Sequence, residues 1–196
     1  MNKVLWLDLE TTGLDPKTDS IIELGAIYYE NGALKDQCHF YIKYPDYKKD
    51  FSVIEELTSI TKEFLEENGL NEIEAYQTFI DFLNDKVSKY DKLDKMILAG
   101  FVTKFDDGFL RAWFKSHNNE YYGSYIKSAT IDVLNTAAIA NVLGILPDTI
   151  PNFKLETIAK HFGIEYQSHG ALRDIKVTRR VNHLMMIEIS NKYLKE

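Results

Sequence analysis

The run Val4-Leu5-Trp6-Leu7-Asp8-Leu9-Glu10 constrains this 196-residue chain more than any other stretch. It is apolar enough for a buried strand, yet one carboxylate is embedded in it and a second closes it. Residues two apart on a strand point to the same face, so Asp8 and Glu10 project side by side. Adjacent carboxylates at the end of a core strand repel each other and lose water. A divalent cation makes such a pair tolerable, and hard oxygen ligands suit Mg²⁺ or Mn²⁺. The ordinary alternative is an exposed strand end running into a Thr11-Thr12-Gly13 turn. The rest of the chain has to supply partners before the metal reading outweighs it.

Ser20 to Glu30 reads as a second strand, and Asn31-Gly32 is the strongest hairpin signal in the chain. Leu34 to Ile42 returns as a third strand. Tyr44 to Val53 reads as an irregular link, followed by helical stretches over Ser59–Glu67 and Glu72–Lys89. In the second stretch Ile73, Tyr76, Phe79, Ile80, Leu83 and Val87 recur at helical spacing. Its Gln77-to-Leu83 segment faintly resembles a sliding-clamp peptide, but those apolar residues also fit a core face. Met96 to Phe101 is a short strand and Phe105 to Lys115 a helix. The Tyr121-to-Ile131 region is tyrosine-rich and β-branched. Helices follow over Asp132–Leu143, Lys154–Phe162 and Ala171–Tyr193. Three strands and then alternating helix and strand indicate an α/β domain with a mixed sheet: an antiparallel three-strand meander plus parallel strands, flanked by helices. The length fits a single domain, residues 1–196.

Two further segments bear on Asp8 and Glu10. Phe105-Asp106-Asp107-Gly108-Phe109-Leu110 follows directly on a strand, where α/β folds place their crevice. Phe105, Phe109 and Leu110 would anchor the start of a helix, with Asp106 near its amino end. Helix capping is the plain explanation for Asp106 or Asp107. The other segment is Ser168-His169-Gly170-Ala171-Leu172-Arg173-Asp174. On one continuous helix His169 and Asp174 would differ by about 140° and would not share a face. With His169 in a loop and Gly170 permitting the bend, the histidine folds over a site that Asp174 reaches from the first helical turn.

Taken together, Asp8-x-Glu10, Phe105-Asp106-x-x-Phe109-Leu110 and His169-x-Ala171-x-x-Asp174 resemble the three motifs of the DEDDh group of 3′→5′ exonucleases. That group includes the proofreading epsilon subunit of bacterial DNA polymerase III, ribonuclease T and oligoribonuclease. The likeness runs from Val4 to about Thr178 and takes in Asp8-Leu9-Glu10-Thr11-Thr12-Gly13-Leu14 and Lys154-Leu155-Glu156-Thr157-Ile158-Ala159. It departs at Phe101 and Val102, where many members carry His-Asn.

The resemblance implies an RNase H-like fold and hydrolysis of phosphodiester bonds at the 3′ end of single-stranded DNA or RNA, with DNA placed first. Asp8, Glu10, Asp106 and Asp174 would hold two Mg²⁺ or Mn²⁺ ions about 3.5–4 Å apart. His169 would act as the base toward the attacking water. Thr11, Thr12, Leu14 and Phe105 would position the terminal nucleotide. Arg173, Lys176, Arg179 and Arg180 are candidates for phosphate contacts, with a solvated helix face as the plainer explanation for at least two of them. The alternatives are an RNA-trimming exoribonuclease, a catalytically silent nucleic-acid-binding module, and an unrelated hydrolase of small phosphate esters.

The formal net charge of −7 argues against a coating protein for nucleic acid, which carries a basic stripe, but not against an enzyme that grips a few nucleotides through metals. The single cysteine, Cys38, excludes a disulfide framework and a cysteine-based zinc site. No apolar run reaches membrane-spanning length, and no signal peptide is read. The expectation is a cytoplasmic protein without membrane association. No polymerase-docking tail is read, and replication or repair partners are left open.

Overall fold

The computed structural model describes residues 2–44, 51–166 and 170–193. Its strands are β1 (Lys3–Thr11), β2 (Ile21–Glu30), β3 (Ala33–Tyr41), β4 (Met96–Gly100) and β5 (Ile126–Asp132). They form one five-stranded sheet in the order β3-β2-β1-β4-β5. β1, β2 and β3 pair antiparallel, whereas β4 and β5 add in parallel. The expected mixed sheet is therefore observed, with β1 at its centre. The β2–β3 turn places Asn31 at φ 50° and Gly32 at φ 81°, the two positive values that a two-residue type I′ turn requires.

Alternation along β1 divides the core into two layers. Leu5, Leu7 and Leu9 face α3 (Glu72–Lys86) and α4 (Thr103–Ser116), where they meet Phe79, Leu83, Phe109 and Phe114. Trp6 faces the other way, toward α6 (Val133–Val142), α7 (Leu155–His161) and α8 (Ala171–Tyr193), where it joins Ala137, Ile158 and Val181. Asp8 and Glu10 continue the Trp6 face. A smaller cluster, Ile22, Tyr44, Phe51, Ile54, Ile60 and Leu65, forms with α1 (Ser52–Thr58) and α2 (Lys62–Asn68).

Several boundaries differ from the sequence reading. The helix expected over Ser59–Glu67 starts only at Lys62, because Ser59 adopts φ 60° and ends a preceding helix, α1, that the sequence reading did not place. Thr61 then caps α2 by accepting the Phe64 N–H. Val53, read as part of a link, lies inside α1. α4 starts two residues before the expected Phe105. α3 ends at Lys86. Phe79, Ile80 and Leu83 are buried core residues, so the clamp-like segment is a core face. Tyr122 and Tyr125, in the short helix α5 (Tyr122–Tyr125), are buried, and Tyr121 is exposed. No helix among the described residues is long and apolar enough to cross a membrane.

Candidate active site

β1 runs on past its parallel neighbour. Its pairing with β4 spans Val4↔Ile97 to Trp6↔Ala99, whereas its pairing with β2 continues to Thr11. Beyond Trp6, one edge of β1 is left for the start of α4. Asp106 fills that gap: it is only 5% exposed, and its carboxylate accepts the Leu9 N–H. The turn into α4 leaves little room at Gly100. A Cβ there would lie 3.0 Å from the Leu7 carbonyl oxygen and 3.5 Å from Asp106 Oδ2. Asp132, at the end of β5, fixes the same turn. Its Oδ2 accepts both the Thr103 N–H and the Thr103 hydroxyl at 3.0 Å, while Oδ1 caps α6 through the Asn135 N–H.

Asp174 arrives from the opposite layer, in the first turn of α8. One carboxylate oxygen from each of Asp8, Glu10 and Asp174 lies within 4.8 Å of the others. Asp106 stands beside this trio rather than within it, and its charge acts on Asp8. Burial pushes the Asp8 carboxyl well above the usual range, reinforced by the charges of Asp106, Glu10 and Asp174. Burial, with the charges of Glu23 and Asp174, raises Glu10 to about 7. Asp106 is raised by burial, and the N–H groups it accepts partly offset this. A cluster of half-buried acids that disfavour their own charge is the environment a divalent cation neutralises. Asp8, Glu10 and Asp174 thus fit a divalent-cation site, with Asp106 at its edge.

The other predicted residues are distributed unevenly. His169 lies outside the described residues. α8 begins at Ala171, one residue past Gly170, the start expected for this helix. Thr11 and Thr12 turn their hydroxyls inward: Thr11 donates to the Gly13 carbonyl at 2.7 Å, and Thr12 accepts the Ser20 N–H at 2.9 Å. They shape the turn that carries Leu14, which is 85% exposed at its tip. Ordinary core packing is thereby removed as an explanation for Leu14. Phe105 is half-buried, tilted against Phe109 at 4.9 Å, and packs on the α3–α4 layer. Arg179 lies over the Tyr29 ring at 4.1 Å, which commits it to the sheet, while Arg173, Lys176 and Arg180 are exposed.

Three polar residues at the site escaped the sequence reading. Asp132 is one and Glu23 of β2 a second. The third is Tyr166, whose hydroxyl donates to Asp174 Oδ2 at 3.0 Å. Tyr166 also lines a cleft of about 720 Å³ with Lys160 and Arg173. None of the three sits in a spacing pattern. A buried glutamate within the otherwise apolar Ile21–Tyr28 run was the one signal available.

The mixed sheet and the acid cluster fit the exonuclease class that the sequence motifs resemble. Residues 5–181 match the RNase T exonuclease family, and the chain belongs to that family. It is 31% identical to the PolC-type DNA polymerase III of Pediococcus pentosaceus over 192 residues, covering 97% of this chain and 12% of that protein. It is 33% identical to the PolC-type DNA polymerase III of Thermotoga maritima over 187 residues, covering 95% and 12%. The chain thus spans about an eighth of the length of these curated relatives. Among solved structures, exonuclease I of E. coli in a zinc-bound complex with single-stranded DNA superposes with a TM-score of 0.78. It is 24% identical, with 99% of this chain and 42% of that one covered. The same enzyme with a dA16 oligonucleotide gives 0.75, with 23% identity and 96% and 41% covered. These superpositions share the fold.

Proposed function

We propose that this chain is a 3′→5′ exonuclease acting on single-stranded DNA ends. The observation that carries the reading is the convergence of Asp8, Glu10 and Asp174 within 4.8 Å, with Asp106 alongside, in a chain of the exonuclease family. Asp8, Glu10, Asp106 and Asp174 would hold two divalent cations, Mg²⁺ or Mn²⁺. When bound, the pair supplies activation of the attacking water and stabilisation of the leaving 3′ oxygen. The chain's residues do the rest. Glu10 has to give up its proton to serve as a ligand, so cation binding competes with protons there. His169, from the segment before α8, would take the proton of the attacking water at an imidazole nitrogen. Leu14 would pack against the terminal base, on a turn held by Thr11 and Thr12. Phe105 would close the other side, and Lys160 and Arg173 would meet phosphates along the Tyr166 cleft. DNA is preferred over RNA because the relatives are DNA polymerases and the superposed enzyme is seen with oligodeoxynucleotides.

The test is digestion of matched DNA and RNA oligonucleotides, blocked at either end, with Mg²⁺ or Mn²⁺. Release of 5′-mononucleotides from unblocked 3′ ends of DNA is expected, and Asp8→Ala and Asp174→Ala should fall to background while remaining folded. Full activity in either variant, or digestion from the 5′ end, would overturn the assignment.

A further inference from the structure

Among the described residues, no side chain next to α8 in sequence caps its start. The Gly170 carbonyl accepts the Arg173 and Asp174 N–H groups, which makes Gly170 the N-cap, and glycine has no side chain to satisfy the first-turn donors. The missing acceptor comes from 148 residues away: Glu23 Oε1 accepts the Ala171 N–H at 3.1 Å. Glu23 is 2% exposed. The same oxygen meets His39 Nε2 of β3 at 2.7 Å, and the Tyr41 hydroxyl also bonds the carboxylate. Two residues along β2, Gly25 lets the helix touch the sheet. A Cβ at Gly25 would lie 2.7 Å from the Ala171 Cβ and 3.0 Å from the Ala171 carbonyl carbon.

We infer that Glu23, held by His39 and Tyr41, is a positioning residue that docks the first turn of α8 onto β2 and so sets where Asp174 stands over Asp8 and Glu10. The geometry follows from helix spacing. Ala171 and Asp174 are three apart and share a face, so fixing the Ala171 N–H against β2 fixes the direction of Asp174. The register repeats the point: β2 pairs Gly25 with Asp8 and Glu23 with Glu10, so the docking residues lie directly across from the β1 acids. A carboxylate also suits the positive end of a helix dipole. Nothing here requires Glu23 to touch a cation.

This inference rests on the metal-site reading above, and Mn²⁺ binding followed by electron paramagnetic resonance separates the two. Wild type is expected to bind Mn²⁺, and its failure to do so would sink the metal reading and this inference with it. If wild type binds, Glu23→Leu should weaken Mn²⁺ affinity by about tenfold, as losing a group that orients a ligand does. Glu23→Gln, which keeps an acceptor for the Ala171 N–H, should stay within about twofold of wild type on the same scale. Gly25→Ala, which pushes Ala171 off the sheet while leaving Glu23 in place, should reproduce the Glu23→Leu loss. It also provides the readout if Glu23→Leu does not fold. A core variant in the other layer, Phe79→Leu, should lower the melting temperature with Mn²⁺ affinity unchanged. Wild-type affinity in Glu23→Leu or Gly25→Ala overturns the inference. So does an equal loss in Glu23→Gln, which would mean that the charge rather than the hydrogen bond matters.

Discussion

Asp8 and Glu10 are costly in the protein without metal. Glu10 ionises near 4.5 in an unfolded chain and near 7 when folded, chiefly because burial disfavours its charge. Between those values the folded protein binds more protons than the unfolded chain. Stability therefore falls as pH rises through the window, and the loss is complete above 7. Each pH unit of such a shift is worth about 1.4 kcal/mol. Glu10→Gln removes the charge and keeps the shape. In EDTA at pH 8 it should be more stable than wild type by about 1–2 kcal/mol, and at pH 4 the difference should vanish. Urea unfolding at the two pH values checks this, alongside a nucleotide-release assay in which the variant should be inactive. Equal stability of the two proteins at pH 8 would show that Glu10 carries no such penalty. The residue that costs stability is then the one that the reaction needs, which is why an apolar strand keeps it.

At the scale of elements, the site depends on how three segments end. β1 overhangs β4, α4 starts in the space this leaves, and α8 starts on β2. Asp132 ties the start of α4 to the start of α6 by accepting from Thr103 at the head of α4 and from Asn135 at the head of α6. Asp132→Ala should cost about 1–2 kcal/mol, the range for losing a helix cap, and should reduce nucleotide release by shifting Asp106. Asp132→Asn, which still accepts, should recover most of both. Denaturant melts and turnover measured on the same preparations decide it, and an Asp132→Ala protein with wild-type turnover would free Asp106 from this dependence. Such ends are also where sequence reading stops. Asp8 and Glu10 were legible because strand period puts them on one face of an apolar run, and α8 because its pattern is long. Ser59 was not legible, since a serine at φ 60° is set by the packing of α1 and α2 rather than by its type. Glu23, Asp132 and Tyr166 look like unremarkable polar residues until α8 is docked on Glu23, α4 on Asp132 and Asp174 on Tyr166. Their roles arise from contacts 8 to 148 residues apart, which no local period encodes.

Across the whole molecule, the acids come from both layers and from nearly the full length of the chain. Asp8 and Glu10 lie on the central strand, Asp106 on the α3–α4 side, and Asp174 on the α6–α8 side. A cation bound among them would link β1 to both helical layers, while relieving the repulsion that raises Asp8 and Glu10. Binding to the folded state alone stabilises by mass action, about 2.7 kcal/mol when the free ligand is at a hundred times its dissociation constant. For a chain of this length, 1 kcal/mol moves the melting temperature by about 2–4 °C. Saturating Mn²⁺ at pH 8 should therefore raise the melting temperature of wild type by roughly 5–10 °C, and EDTA should reverse the shift. Asp174→Asn should melt within a few degrees of metal-free wild type and show little of the increase, because only one layer then supplies charged ligands. An equal metal-induced shift in Asp174→Asn would place the cation elsewhere on this acidic surface and detach α8 from the site.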